Sequence, residues 1–187
     1  MQVVSFDTSS SIPASGLARV LPGLLPDDMW IVDAADAPNG FDARRSALRR
    51  WYRYSLWRCG TPPAHWQGRC RVYPQPLDVA GMRRASRSLL GRHDFGSFVT
   101  RPSKGGSTQR TVFAADWLQI GRELLVFEIC ADAYLKQMVR AIVGSLLWVG
   151  EAHWTPEQFA EAMARADRRA AGPNAPAVGL SLYRIEY

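Results

Sequence analysis

Apolar and polar positions along this chain follow two periods, and together they predict a string of short elements. Gln2-Val-Val-Ser-Phe-Asp7, Met29-Trp-Ile-Val-Asp33 and Tyr52-Arg-Tyr-Ser-Leu-Trp57 alternate, which suits half-buried strands. Residues 15–21 read as a short helix capped by Ser15 and cut off by Pro22. Over residues 77–90 the period becomes helical. Val79, Met82, Ser86, Leu89 and Leu90 mark an inner face, Asp78 stands at the cap, and Gly91 stands where the helix should stop. Arg83, Arg84 and Arg87 fall on its outer face, where solvation explains them more simply than an RNA contact. Residues 101–110 are rich in Ser, Gly and Lys and predict an exposed, mobile loop. Residues 111–120 and 123–130 predict two strands joined around Gly121-Arg122 as a hairpin. Thr155-Pro-Glu-Gln158 is a capping box with proline at the first helical position, opening a helix that ends before Gly172. Residues 180–187 alternate as a last strand. Mixed strands and helices with hairpins predict an α+β fold, a largely antiparallel sheet with flanking helices.

The most apolar stretch, residues 133–150, contains a charge. Leu135, Met138, Val139, Ile142, Val143, Leu146, Leu147 and Val149 cover most of a helical circumference, so the helix is predicted to be buried. Arg140 lies within it and cannot shed its proton. A buried guanidinium needs an anion or several acceptors. The competing reading is an arginine whose stem is buried while its head reaches water. Lys136, Gln137, Arg140 and two glycines in this stretch argue against a membrane span.

Charge narrows the partners. The net charge is +6 and the isoelectric point about 9.6, which favours polyanions such as nucleic acid. Arg44, Arg45, Arg49, Arg50, Arg53 and Arg58 interleave with Trp51, Tyr52, Tyr54 and Trp57. Cations that meet phosphates beside rings that stack on bases suit RNA; a solvated basic strand with core-facing aromatics is the alternative. Cys59, Cys70 and Cys130 are scattered and odd in number, which predicts free thiols in a reducing compartment. His65, His93 and His153 stand apart, so a histidine metal site has no support. No signal peptide is read at the N-terminus.

Several segments then fall into one order. Phe41-Asp-Ala-Arg-Arg-Ser-Ala47 runs into Arg50-Trp-Tyr-Arg-Tyr54. Gly91-Arg-His-Asp-Phe-Gly-Ser-Phe98 follows the amphipathic helix, and Thr108-Gln-Arg-Thr111 precedes the hairpin. Met138-Val-Arg140-Ala-Ile-Val-Gly144 with Val149-Gly150, and Ala175-Pro-Ala-Val-Gly-Leu-Ser-Leu182, complete the set. In order and spacing these segments resemble the tRNA pseudouridine synthase A family over nearly the whole chain. The resemblance implies a pseudouridine synthase-like fold, with residues 1–187 as one catalytic-type domain. It implies an isomerase that converts uridine to pseudouridine in the anticodon stem-loop of tRNA, with no cofactor, as a cytoplasmic homodimer. The family's nucleophile is an aspartate in Gly-Arg-Thr-Asp-Ala-Gly. None of the chain's eleven aspartates lies in such a context, and Asp7 and Asp42 are the nearest candidates. The resemblance therefore implies an N-terminal truncation that removes the nucleophile and the first part of the fold, leaving the chain inactive alone.

Residue by residue, the resemblance matches Tyr52 to the tyrosine that packs on the target base and is a proposed proton acceptor at C5. It matches Arg140 to the arginine that pairs with the catalytic aspartate. Val139 and Leu180 would line the base pocket, and Arg44 and Arg110 match basic positions near RNA. The chemistry needs these types: an ionised carboxylate to attack, an arginine to keep it ionised, a ring to hold the flipped base and a base near C5. From the residues alone, Tyr52 is a plain core aromatic and His93-Asp94 fixes a turn, while nothing around Ser97 suggests a hydrolase triad. A function from another class stands beside the enzyme: a non-catalytic RNA-binding or dimerisation remnant, which the basic-aromatic strand and the net charge also allow.

Overall fold

A strand persists only where a neighbour takes up its backbone N–H and C=O groups, and that rule sorts the alternating segments. The computed structural model describes residues 2–100 and 106–187. They divide into two compact units, Leu48–Tyr187 and Val3–Ala47.

In the larger unit six strands form one sheet. β1 (Arg49–Trp57) lies at its heart. It pairs antiparallel with β5 (Leu124–Ala131) on one side. Its other side is shared by β6 (Leu180–Glu186), antiparallel, and by the two-residue β2 (Arg71–Val72), parallel. Beyond β5 come β4 (Gln109–Ile120) and β3 (Gly91–Asp94), both antiparallel. The hairpin at Gly121-Arg122 and the last strand stand where the alternation predicts them. Part of the predicted 101–110 loop, residues 101–105, lies outside the described residues.

Three helices cover one face of this sheet. α2 (Val79–Ser86) is capped by the Asp78 carboxylate, which accepts from Gly81 N–H at 2.9 Å. Its outer-face Arg83 reaches β4, where Nε and Nη2 donate to the Trp117 carbonyl at 2.9 and 2.7 Å. That satisfies an acceptor on the part of β4 that extends past β3. α3 (Met138–Gly150) is buried almost throughout, as its composition demands. α4 (Pro156–Ala164) opens on the predicted capping box of Thr155 and Gln158. Tyr54 and Leu56 of β1, Phe127 and Ile129 of β5 and Trp117 of β4 meet Met138, Ile142, Val143 and Leu146 of α3 in one core. Each such large side chain contributes roughly 1.5–3 kcal/mol on burial. The opposite face carries a small cluster of Trp57, Cys70, Leu124 and Val126, with Trp66 packed on it.

One expectation is corrected in this unit. Helix α3 begins at Met138, not near 133: Gln137 has φ +68°, outside the helical region, and residues 132–135 make an irregular turn. The Asp132 carboxylate holds that turn by accepting from the Thr111 and Ala133 N–H groups at 3.0 and 2.6 Å. These local bonds compete with helix.

The smaller unit, Val3–Ala47, holds one helix, α1 (Ala14–Val20), running into a single 3-10 turn at Leu21–Leu24. Pro13, not Ser15, occupies the cap position, and no side chain caps it. The expected strands over residues 2–7 and 29–33 do not form. No described strand pairs with either segment, so their alternation buries nothing. Val4 is 76% exposed and Val32 79%.

Candidate active site

Tyr52 stands on the helix-covered face of β1. Its Cα lies opposite Ile129 of β5 and, just past a register shift, opposite Leu182 of β6. The phenol ring is met edge-on by Tyr134, with centroids 4.8 Å apart and planes at 77°. The Tyr134 hydroxyl is set between the carbonyls of Arg50 and Ile129, 3.1 and 3.0 Å away. It thus ties together two strands that also frame Tyr52, and the Tyr52 ring rests against a wall that cannot easily turn. Burial raises the Tyr52 phenol above its ordinary value, and Arg50 only partly opposes this. Burial raises Tyr134 much further. At neutral pH Tyr52 is therefore a protonated phenol. Its ring is available to stack on a base, whereas accepting a proton would require it first to lose its own.

Arg140 sits in the first turn of α3, half buried. Its Nε donates to the Ala175 carbonyl at 2.6 Å, and the Ala175 N–H returns a bond to the Arg140 carbonyl at 2.9 Å. This double bond is the end of a longer strap. Gly172 N–H donates to Ser145 Oγ at 2.9 Å, while that hydroxyl donates to Ala141 C=O at 2.9 Å. Between them, a Cβ built on Gly144 would stand 1.7 Å from the Pro173 carbonyl oxygen. No side chain fits there, so glycine is what lets residues 172–175 lie against α3. The strap continues to β1: the Tyr54 hydroxyl donates to Pro176 C=O at 2.8 Å, and Gly179 packs against Ser55 C=O and the Tyr54 ring with no room for a Cβ. Burial raises the Tyr54 phenol above its ordinary value, opposed first by Arg71 and more weakly by Arg140.

Arg140 is thus neither fully buried nor a plain snorkelling side chain. Its Nε is spent on a backbone carbonyl, and among the described residues it forms no ion pair with a carboxylate. The terminal nitrogens are the groups left for an anion.

The other sequence-predicted positions divide. Leu180 opens β6 opposite Tyr54 and packs partly against the core, on the same face as Tyr52. Val139 precedes Arg140 and is buried in that core. Arg110 of β4 pairs across to His93. Its Nη1 donates to the carbonyls of Ser107 and Gln109 at 2.9 and 2.5 Å, so part of its guanidinium shapes its own loop. Arg44 belongs to the smaller unit, exposed on a turn whose Asp42 carboxylate accepts from the Arg45 and Arg44 N–H groups at 2.7 and 2.9 Å. Those amides, Arg45 first, hold Asp42 below the ordinary carboxylate range. His93 and Asp94 do fix a turn: the imidazole Nε2 lies 2.7 Å from Leu90 C=O, and Asp94 accepts from Gly96 N–H at 2.8 Å. Ser97 is buried and donates to Ala162 C=O. Among the described residues, no three His, Cys, Asp or Glu side chains gather as a metal site requires.

Three further residues support the corner and carry no sequence signal. Arg168 donates to the carbonyls of Ala171 and Gly172 and to Asn174 Oδ1. Asn174 Nδ2 in turn donates to Gln137 Oε1 at 3.1 Å and Thr100 Oγ1 at 3.3 Å. The strap is thereby tied to the left-handed residue that starts α3. Tyr134 is the third. Asn174 and Tyr134 have partners far away in sequence, and the bonds of Arg168 to its own loop follow no periodic pattern.

Comparison with known proteins gives the same direction throughout. Residues 85–187 match the family described as tRNA pseudouridine synthase. The tRNA pseudouridine synthase A of Chloroflexus aurantiacus is 39% identical over 192 residues, covering 100% of this chain and 68% of that protein. That of Moorella thermoacetica is 38% identical, with 100% and 75% covered. That of Frankia casuarinae is 40% identical, with 100% and 68% covered.

Proposed function

The chain belongs to the tRNA pseudouridine synthase family, a family of isomerases, and on that premise we propose that the corner between β1, α3 and the 172–180 strap receives a uridine flipped out of tRNA. In this reading the Tyr52 ring stacks on the base, Val139 and Leu180 bound the apolar side of its pocket, and the terminal nitrogens of Arg140 hold the nucleophilic carboxylate in its ionised form. The glycosidic bond is cleaved, the base turns, and it rejoins the sugar through C5. The proton left at C5 then needs an acceptor. Burial keeps Tyr52 protonated, so stacking is the role its surroundings favour. Arg44 and Arg110 supply cations for the RNA backbone. The substrate uridines are those of the anticodon stem-loop, and the working form is a cytoplasmic homodimer, as in the family the chain resembles.

The observation that carries this reading is the strap. Arg140 grips Ala175 while Tyr54, two residues from Tyr52, grips Pro176. One segment therefore holds the proposed arginine and the strand position two residues from the proposed stacking residue. The nucleophile is another matter. None of the eleven aspartates stands in the family's sequence context, and Arg140 makes no ion pair among the described residues. We therefore expect no turnover by this chain alone. Purified chain incubated with unmodified tRNA, followed by pseudouridine quantification, tests it: product at an ordinary enzymatic rate overturns the absence of a nucleophile. That Arg140 makes no ion pair with a carboxylate among the described residues also favours a second reading, an RNA-binding or dimerisation remnant. Under that reading, adding a separate polypeptide that carries the family's aspartate motif yields no product although tRNA still binds.

A further inference from the structure

β2 is only two residues long, yet it sends a cation to the helix-covered face of the sheet. Arg71 lies opposite Leu56 of β1, whose side chain is fully buried in the core, and residues paired across two strands point to the same side. Arg71 itself is half-buried. Its guanidinium lies over the Tyr73 ring, 4.6 Å from the centroid. That ring is held at both ends. The Tyr73 N–H donates to Trp57 C=O at 2.7 Å, and the hydroxyl donates to the carboxylate of Glu151, the residue that ends α3. A planar cation resting on a fixed ring keeps its N–H groups in one direction.

That direction leads to Tyr54. Arg71 donates a hydrogen bond to the Tyr54 hydroxyl, and the hydroxyl donates in turn to Pro176 C=O at 2.8 Å. A phenol carries one proton and two lone pairs, and its O–H can turn about the C–O bond. A charged donor on the lone pairs leaves the proton aimed at the strap and strengthens the bond it makes. Pro176 has no N–H, so its carbonyl is the one backbone group by which it can be tied. Its neighbour Ala175 exchanges two bonds with Arg140. Arg71 therefore acts on the strap one residue away from the grip on Arg140.

We propose that Arg71 is a positioning residue: through the Tyr54 hydroxyl it fixes strap residues 175 and 176, and so sets the direction of the Arg140 guanidinium. What Arg140 then holds rests on the proposed function; the coupling of Arg71 to Arg140 does not. The competing account is an arginine that only packs its stem and head against Tyr73 and stabilises the fold as a whole.

The test uses the full chain without tRNA and reads hydrogen exchange at the Arg140 Nε–H by NMR, that resonance being identified by its loss in Arg140→Lys. Arg71→Met keeps an apolar stem and removes the donors. It should quicken exchange at the Arg140 Nε–H roughly fivefold or more, while the Phe127 and Ile129 amides of β5 stay within about twofold. Arg71→Lys, which keeps a charged donor, should recover part of the protection. Tyr54→Phe should match Arg71→Met, and the two substitutions together should add nothing to either alone, because one acts through the other. An unchanged Arg140 Nε–H in Arg71→Met, a quickening shared equally by the β5 amides, or additive effects of the two substitutions overturns the proposal. If Arg71→Met does not fold, Tyr54→Phe decides, since it loses a single oxygen: quickened exchange at Arg140 supports the coupling, and exchange equal to that of the unaltered chain overturns it. Binding of tRNA is measured apart from this. A chain that shows the coupling but binds no tRNA refutes the proposed function and leaves the role of Arg71 standing.

Discussion

Leu48–Tyr187 and Val3–Ala47 carry similar runs of apolar residues and put them to opposite use. In the larger unit β1 has ladder partners on both sides, and Tyr54 and Leu56 are fully buried. In the smaller unit Val4, Phe6, Trp30 and Val32 are 76, 62, 73 and 79% exposed, and Ala47 is its one buried residue among those described. The side chains are of the same kinds. What differs is the availability of a neighbouring strand to satisfy the backbone and a facing layer to cover the side chains. Alternation states only that a segment could serve as a strand.

The sharpest way to break this comparison is to disturb the point where the larger unit is packed most closely. Gly144→Ala places a methyl 1.7 Å from the Pro173 carbonyl, and both sides are backbone. We expect a loss of about 3 kcal/mol in urea unfolding, together with release of the Arg140–Ala175 pair. A loss below about 1 kcal/mol would mean that the strap moves aside freely and does not hold Arg140. Next in size is Tyr134→Leu, which removes a hydroxyl shared by two strands and the edge-on contact with Tyr52. About 2 kcal/mol is expected from the bond and the ring pair together. Tyr134→Phe, losing only the hydroxyl, should cost about half as much. Asp78→Ala, removing one helix cap, should cost about 1 kcal/mol.

Those sites also mark how far the sequence could be read. The Asp78 cap, the Thr155 capping box, the hairpin at Gly121 and the alternation of β1 and β6 are local signals, and each element stands where its signal lies. The short strands β2 and β3 carry no such signal, because two to four residues cannot show a period. The sequence places the start of α3 too early, because apolar content continues through residues 133–135 while the backbone is turned by Asp132 and left-handed at Gln137. Tyr52 is legible only through the family resemblance, whereas Arg140 is marked twice, as a charge inside an apolar helix and by the resemblance. What joins them is not legible: Gly144 against Pro173, Tyr54 on Pro176 and Asn174 on Gln137 are contacts between residues dozens of positions apart, and no spacing rule connects them.

Acidity separates the two units by sign. Cys130 in β5 is fully buried, and burial, then Glu186, push its thiol up to about 11. The unfolded thiol ionises first, so its contribution is intact below about pH 9 and is lost as pH rises towards 11. Unfolding midpoints should fall over that window, and Cys130→Ala should flatten the fall. Asp42 in the smaller unit runs the other way. Its carboxyl lies below the ordinary value, so whatever order it imposes on the 42–46 turn is present above the ordinary carboxylate pKa and lost as pH falls beneath it. Amide exchange in that turn should quicken on the acid side, while Asp42→Asn should exchange quickly throughout. A midpoint that rises with alkali, or a turn indifferent to acid, would contradict the assignment.

The smallest expected effect is the one that tests the comparison most directly. If exposure in Val3–Ala47 reflects segments with no partner strand, the large apolar side chains there contribute little to stability. Trp30→Ser and Val32→Ser should then each shift the unfolding free energy by less than about 0.5 kcal/mol, within the range of ordinary surface substitutions. Amide exchange should agree, with residues 29–33 poorly protected and Phe127 and Ile129 of β5 among the slowest. The same two substitutions become informative when a partner is added. Should Trp30→Ser weaken binding of tRNA or self-association while leaving unfolding unchanged, the exposed alternation would belong to an intermolecular surface. A loss of 2 kcal/mol or more in the isolated chain would instead mean that residues 29–33 are buried in solution, and the contrast between the two units would dissolve.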